Sequence, residues 1–381
     1  MRISTLLAAT TTSWLGTARI PKVLFDAGFE VALLSPRNSL AEFSRYVARR
    51  AYVPDSATAA QWLEALVAIT AATSPRLVIP CDDMAFRLLA SAVVDPPRGM
   101  RANVRVELVD LIQASLGNPV HYQASVDKTT LPQLAEALGV RVPPNAIVGG
   151  IGNADPFLAR YGYPVVLKRP HDFAGQGVRI CANRSSLGQA FDAFAMADAR
   201  EMTLASRHRY LLQAHVEGPV QYFHAAAWQG TLLAGWALQK LIGSPEPTGP
   251  PTVTRYFRGM ELRAITAELA RALGISGFFF AEFIVEARSG IPYLLEINRR
   301  VSPATHRGAA RDVDLCAALA AAIHGTPSKS RVGLDEGEEG ITVHFPQEWL
   351  RDPRSEALSR FPSDVPWDEP ELLEALLRLR H

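Results

Sequence analysis

Phe278-Phe279-Phe280-Ala281-Glu282-Phe283-Ile284-Val285-Glu286-Ala287-Arg288-Ser289-Gly290-Ile291-Pro292-Tyr293-Leu294-Leu295-Glu296-Ile297-Asn298 reads as two apolar strands, 278–286 and 291–298, around a turn. Arg288-Ser289-Gly290 suits a three-residue loop, with glycine where φ must be positive. That loop sets Glu282 directly opposite Glu296. Cross-strand neighbours lie about 4.5–5.5 Å apart at Cβ, where like charges repel. The flanking residues are apolar, so the pair is expected to be buried. One bulge would shift this register by a residue. Asn298 lies two residues past Glu296 and shares its face. Two carboxylates and an amide oxygen on one face suit Mg²⁺, whose shell water and phosphate complete. The plainer reading is one glutamate in an ion pair with Arg299, Arg300 or Lys240.

Upstream, Asp127-Lys128-Thr129-Thr130 is expected to open a helix running to Gly139, with Asp127 as N-cap. Lys128 then falls in the first turn, where a cation opposes the helix dipole. An anion bound by the lysine and free backbone N–H groups would account for it. A solvated surface lysine is the common alternative. Val165-Val166-Leu167-Lys168 ends an apolar strand on a charge. A loop from Pro170 to Gly177 follows, with Gly175-Gln176-Gly177 at its tip, before the return strand from Val178. Glycines let backbone approach phosphate closely and let a loop close as a lid. Gly-x-Gly alone is more often a plain hairpin turn.

The 381 residues are enough for two to three domains. With 48% apolar and 20% charged residues, the chain excludes disorder, collagen and coiled coil as its main architecture. Lys+Arg 39 against Asp+Glu 38 leaves a net charge of +1, no footprint for nucleic acid or an anionic membrane. Cys81, Cys181 and Cys316 form no CxxC pair, which fits a reducing cytoplasm. No apolar run is long enough for a membrane helix. The apolar start of 1–18 is broken by Thr10-Thr11-Thr12-Ser13, so it serves better as a first strand than as a signal peptide. Residues 1–110 alternate strands with helices, which predicts a parallel sheet with right-handed crossovers. The first turn, Ala8-Ala9-Thr10-Thr11-Thr12, lacks GxGxxG. Residues 243–252 form a Pro/Gly loop expected to be mobile. Residues 328–381 form a tail expected to pack on the body.

Taken in order, Asp127-Lys128, Val165–Lys168 with its glycine loop, Leu211-Leu212-Gln213-Ala214-His215-Val216-Glu217-Gly218, Glu282 and Leu295-Glu296-Ile297-Asn298-Arg299-Arg300 resemble the ATP-grasp superfamily. The nearer likeness is to its carbamoyl-phosphate-synthase-like and carboxylate–amine ligase members. It covers residues 1 to about 325. The resemblance implies an α/β protein: a Rossmann-like domain (1–110), an ATP-grasp fold (111–327, with a lid about 163–212) and a small C-terminal tail (328–381). It implies that Lys128 and Lys168 contact ATP phosphates, that Gly175 and Gly177 cover them, and that Gln213, Ala214 and Val216 meet adenine. Glu282, Glu296 and Asn298 would bind Mg²⁺ or Mn²⁺. Arg300 would sit at the γ-phosphate. Val220 stands where relatives carry a ribose-binding acid, and Glu217 is the substitute. Arg299 stands in place of a proline.

The implied reaction is ATP-dependent activation of a carboxylate as an acyl phosphate, attacked by an amine, with ADP and phosphate released. Arg300 and Lys168 are its expected catalytic residues. Alternatives are bicarbonate activation with carbamoyl or carboxyl transfer, or a nucleotide-binding module without turnover. The expected partners are small-molecule carboxylate and amine substrates, with no nucleic acid or membrane; a homodimer is a further expectation. Arg255 could clamp a phosphate or a carboxylate, or form a surface ion pair. His306 could bind substrate or be structural, and Asp314 is expected to cap its helix. No Gly-x-Ser-x-Gly elbow is present.

Overall fold

The computed structural model describes residues 2–12, 14–94, 102–171, 175–200 and 209–379. Phe173 and Ala174 of the expected glycine loop lie outside the described residues.

Short apolar runs near the N-terminus, β1 (Ile3–Ala8), β2 (Phe29–Pro36), β3 (Val47–Val53) and β4 (Leu77–Pro80), form a parallel sheet in the order β3-β2-β1-β4. Helices α1 (Ile20–Asp26), α2 (Ala59–Thr73), α3 (Asp83–Val94) and α4 (Ala102–Leu116) connect and cover it. Thr58 and Gln61 close a reciprocal cap at the start of α2. Leu108, Ile112 and Leu116 of α4 pack into the same core as Leu6, Trp62 and Phe86. The first core therefore runs past the expected boundary at residue 110. Strand β3 escaped the sequence reading because Arg49 and Arg50 interrupt its apolar pattern, as an edge strand tolerates.

The helix expected to open at Asp127 and run to Gly139 is shorter: α5 (Tyr122–Val126) ends just before Asp127, and α6 (Leu131–Ala137) begins only at Leu131. Between them Asp127 folds back, its Oδ1 accepting from the Thr129 amide and hydroxyl (both 2.7 Å). Lys128 thus sits in a turn before the helix rather than in its first turn.

A small sheet follows, ordered β5-β8-β6-β7 from β5 (Asn145–Val148), β6 (Val165–Lys168), β7 (Val178–Cys181) and β8 (Tyr210–Ala214). Helices α7 (Asp155–Tyr161) and α8 (Arg184–Arg200) bury Phe157, Leu187, Phe191 and Phe194 against it. The larger sheet has six strands, β13-β12-β9-β10-β11-β14. These are β9 (Val220–Trp228), β10 (Thr231–Gly243), β11 (Pro251–Phe257), β12 (Gly277–Val285), β13 (Pro292–Asn298) and β14 (Gly340–Val343). Helices α9 (Met260–Leu273) and α10 (Leu315–His324) flank it. The tail supplies β14 at the sheet edge, then α11 (Gln347–Arg351), α12 (Glu356–Arg360) and α13 (Pro370–Arg378). Leu372 and Leu376 of α13 pack on Ala18 and Leu40 of the N-terminal unit, so the tail straps the two ends together.

The hairpin of β12 and β13 differs in detail from its reading. Glu286 N–H donates to Ile291 O (2.9 Å), leaving four residues in the connection instead of three. Gly290 sits at φ +72°, as a turn glycine should. Leu295 then bulges between the Phe283↔Leu294 and Glu282↔Glu296 pairs. The longer loop and the bulge cancel, and Glu282 faces Glu296.

Candidate functional site

A cavity of about 430 Å³ lies between the two antiparallel sheets. Its floor is the hairpin: Glu282, Glu296 and Asn298 all line it, with Leu295 brought in by the bulge. Asn298 donates its amide to Glu296 Oε1 (2.9 Å), and Lys128 Nζ lies 3.0 Å from Glu296 Oε2. The glutamate ion pair is therefore with Lys128, not with Arg299, Arg300 or Lys240.

Burial raises both carboxyls, but they part company. Burial and the facing Glu296 push Glu282 up to about 8. Lys128, the Asn298 amide and Lys168 outweigh burial at Glu296 and hold it down at about 2. Burial lowers Lys168 to about 8, against the pull of both glutamates. With Glu282 raised and Glu296 lowered, the facing pair does not carry two full negative charges near neutral pH, the mark of a site short of positive charge. Among the described residues no group of three or more His, Cys, Asp or Glu side chains could hold a metal ion. An ion here would rest on two carboxylates and an amide oxygen and take its remaining ligands from phosphate and water, which suits Mg²⁺.

Lys168 ends β6 with its side chain almost wholly buried, beside Val166, Val178 and Ile180 on the cavity wall. Lys128 is equally buried, and its N–H donates to Pro170 O (3.0 Å), tying it to the segment after β6. Gly175 and Gly177 also line the cavity. Gly175, at φ +75°, approaches Thr248 so closely that a Cβ would lie 2.4 Å from the Thr248 carbonyl. The loop 244–250 thereby forms the opposite rim, and Pro247, Thr248 and Gly249 line the cavity with it. Lys240 donates to Pro247 O (2.8 Å) and Gly249 O (2.6 Å), fixing that rim.

Gln213, Ala214, Val216 and Glu217 line the far end, where β8 passes into β9. Gln213 is buried, while Glu217 is exposed. Arg300 is buried beside Asn298. Its guanidinium lies 4.4 Å from the Trp14 ring centroid and 5.3 Å from that of Phe280. Its Nη2 donates to Asn298 Oδ1 (3.2 Å), and its Nε lies 2.8 Å from Asp83 Oδ1. Arg299 points away from the cavity. It sits over Phe86 and Tyr122 and donates to Leu116 O, joining the hairpin to the N-terminal core.

Arg255 is exposed on β11 and does not line the cavity. His306 is absent from it too; its Nε2 lies 2.8 Å from Asp364 Oδ2 in the tail. Asp314 caps α10, accepting from the Cys316 (2.9 Å) and Ala317 (3.0 Å) amides. The three cysteines are buried and free. Sequence reasoning missed Trp14, Tyr222, His224 and His344 in the lining. His224 Nδ1 lies 3.0 Å from Ser302 Oγ, and burial, with Arg300 nearby, lowers its pKa to about 3. The only local hint at His224 was a polar residue inside an apolar strand.

Two antiparallel sheets enclose the cavity, with a facing glutamate pair, an asparagine and two buried lysines at one end, and the chain shares this fold with the solved carboxylase and synthetase structures below. No protein-family model matches the chain. It is similar to the carbamoyl phosphate synthase large chain of Sulfolobus acidocaldarius, 21% identical over 182 residues (46% of this chain, 16% of that protein). The large chain of Xanthomonas axonopodis pv. citri is 28% identical over 195 residues (49% and 18%). The chain thus spans less than a fifth of the length of these relatives. Biotin carboxylase from Campylobacter jejuni shares the fold with a TM-score of 0.65 at 15% identity, over 88% of this chain and 74% of that one. N5-carboxyaminoimidazole synthetase from Staphylococcus aureus, complexed with ADP, gives 0.63 at 13% identity (90% and 82%). No helix among the described residues is long and apolar enough to cross a membrane.

Proposed function

We propose that the chain is an ATP-dependent ligase that activates a carboxylate as an acyl phosphate for attack by an amine, releasing ADP and phosphate. The observation that carries this is the buried Glu282–Glu296 pair with Asn298, Lys128, Lys168 and Arg300 at one end of a cavity whose other end is the Gln213–Glu217 linker. Adenine fits the linker end, against Gln213, Ala214 and Val216, with Glu217 at the rim for ribose. The phosphates then reach Lys128 and Lys168 under Gly175 and Gly177. Glu282, Glu296 and Asn298 would hold Mg²⁺ or Mn²⁺, which neutralises charge on the β- and γ-phosphates. Arg300 and Lys168 stabilise the transferring phosphoryl group. The carboxylate oxygen bonds to the γ-phosphorus as the bond to the bridging oxygen breaks, and ADP leaves with that electron pair. The amine then displaces phosphate from the acyl carbon and loses a proton. The protein supplies no nucleophile.

The likeness to carbamoyl phosphate synthase supports a second reading, with bicarbonate as the activated carboxylate. One assay addresses both. Nucleotide release is followed with Mg²⁺ across a panel of carboxylates, bicarbonate and amines, and hydroxylamine is added to trap acyl phosphate. ADP is the expected product. AMP and pyrophosphate would overturn the mechanism, because the charges gather at the γ-phosphate. A second copy of the chain is the expected partner, measured by the mass in solution.

A further inference from the structure

His224 stands in register with Phe280 and, one strand further, with Asn298, and all three line the cavity. Only 5% of the histidine is exposed. Its Nδ1 lies 3.0 Å from Ser302 Oγ, which also accepts from the Ala304 amide (3.1 Å) and lies 3.2 Å from Thr305 Oγ1. Thr305 Oγ1 accepts from the Ser302 amide (2.8 Å), and its hydroxyl has no other acceptor among the described residues. The Thr305–Ser302 and Ser302–His224 contacts need two hydrogens, and the two hydroxyls supply both. Thr305 donates to Ser302, Ser302 donates to His224 Nδ1, and both lone pairs of the Ser302 oxygen are filled. A hydrogen on Nδ1 would leave a buried hydroxyl hydrogen without an acceptor. The imidazole is therefore neutral with its hydrogen on Nε2, and burial, with Arg300 nearby, keeps it neutral by lowering its pKa to about 3. Nε2 has no partner among the described residues, so its N–H is left to the cavity.

Phe280 joins this donor to the reacting end. Its ring stacks on His224 with centroids 5.0 Å apart, and the Arg300 guanidinium lies 5.3 Å from the same ring. Trp14, Leu238, Pro303 and Ala304 add apolar wall around it. We propose that His224 binds the acyl substrate, its Nε2–H donating to an uncharged acceptor oxygen, a ketone or amide carbonyl, on a molecule whose carbon chain crosses Phe280 to the reacting carboxylate on the Arg300 side. The proposal rests on the ligase reading above, which sets the transferring phosphoryl group at Arg300. A second carboxylate at His224 would exchange its water for one neutral donor and apolar carbon, which costs far more than burying a carbonyl. A plain alkyl end would leave the buried N–H unpaired.

Two measurements test this. Long-range proton–nitrogen spectra of the full chain carrying nitrogen-labelled histidine report the tautomer, with the His224 signals identified by their loss in His224→Gln. The neutral Nε2–H form is expected from about pH 8 down to about pH 5. The Nδ1–H form, or protonation within that range, overturns the proposal. Calorimetric titration of the MgADP-loaded chain then compares 5-oxohexanoate, hexanoate, glutarate and 5-aminopentanoate. The ketone is expected to bind about fivefold more tightly than hexanoate, the order that one neutral hydrogen bond supplies, and hexanoate more tightly than the two doubly charged probes. His224→Leu should abolish the advantage of the ketone while MgADP still binds, and His224→Gln, which keeps a donor, should retain part of it. Equal binding of ketone and hexanoate, tighter binding of glutarate, no binding of any probe, or an undiminished advantage in His224→Leu overturns the subsite and leaves the ligase reading standing. Failure of the wild-type chain to bind MgADP overturns the ligase reading itself, and the subsite with it.

Discussion

Glu282 and Glu296 share a register position yet differ in what surrounds them. Glu296 holds Lys128 and Asn298, while Glu282 faces Glu296 and keeps its proton near neutral pH. Glu282→Gln therefore replaces a neutral acid with a neutral amide. Without Mg²⁺ its thermal midpoint should match wild type, while ATP turnover falls at least a hundredfold. Glu296→Gln should lose turnover as well, but it strips a buried lysine of its partner and should cost about 1–3 kcal/mol. Equal melting of the two variants would mean that the two carboxylates are equivalent. Lys168→Ala should weaken binding of a non-hydrolysable ATP analogue and slow turnover together, each about tenfold or more, since a phosphate contact acts in ground and transition states alike. Unchanged analogue affinity would remove Lys168 from the nucleotide site. The facing of the two glutamates was read from a three-residue loop and regular pairing, and it holds only because a four-residue connection and the bulge at Leu295, neither legible in the sequence, offset each other. The Lys128 contact was not legible either, since it joins residues far apart in the chain.

At the scale of elements, the cavity closes between the loop carrying Gly175 and the loop carrying Thr248. Lys240 holds the second loop through two carbonyls, and Gly175 leaves no room for a side chain against it. Gly175→Ala should push the loops apart, raising the KM for ATP at least fivefold with the melting temperature within a degree or two of wild type. A KM equal to wild type would show that the two loops do not work together. Amides of 175–178, 246, 248 and 249 should also exchange more slowly with MgATP bound; equal exchange would make the glycine segment a plain turn. The glycine loop was readable from its composition. Strands β5 and β11 were not, because Pro143-Pro144 precedes one and Pro250-Pro251 opens the other, and prolines read as breakers. The partnership of the loops was hidden too, since it depends on a backbone carbonyl meeting a missing Cβ.

Across the whole molecule, the tail is what the sequence revealed least, because it is held by distant contacts rather than by a periodic pattern. Asp364 accepts from His306 Nε2 (2.8 Å) and from the Phe345 amide (2.9 Å), and its Oδ1 pairs with Arg307 (2.6 Å). Arg19 of the N-terminal unit donates to the Asp364 carbonyl. Burial lowers His306 to about 4 despite the carboxylate beside it. Asp364 is held far below the carboxylate range, with Arg307 and His306 outweighing burial, so it stays charged throughout. A base whose folded pKa lies below its unfolded value of about 6.5 takes up its proton more readily in the unfolded chain. The stability it leaves intact above pH 6.5 is therefore lost as pH falls toward 4, by up to about 3 kcal/mol for a buried group with this shift. His306→Gln keeps a donor for Asp364 but cannot titrate. Thermal midpoints of wild type and variant should be close at pH 7.5, or slightly lower in the variant. At pH 5 the variant should have gained on wild type by several degrees. A difference that stays constant between the two pH values would mean that His306 titrates alike in the folded and unfolded chain, and that the strap is not a source of acid sensitivity.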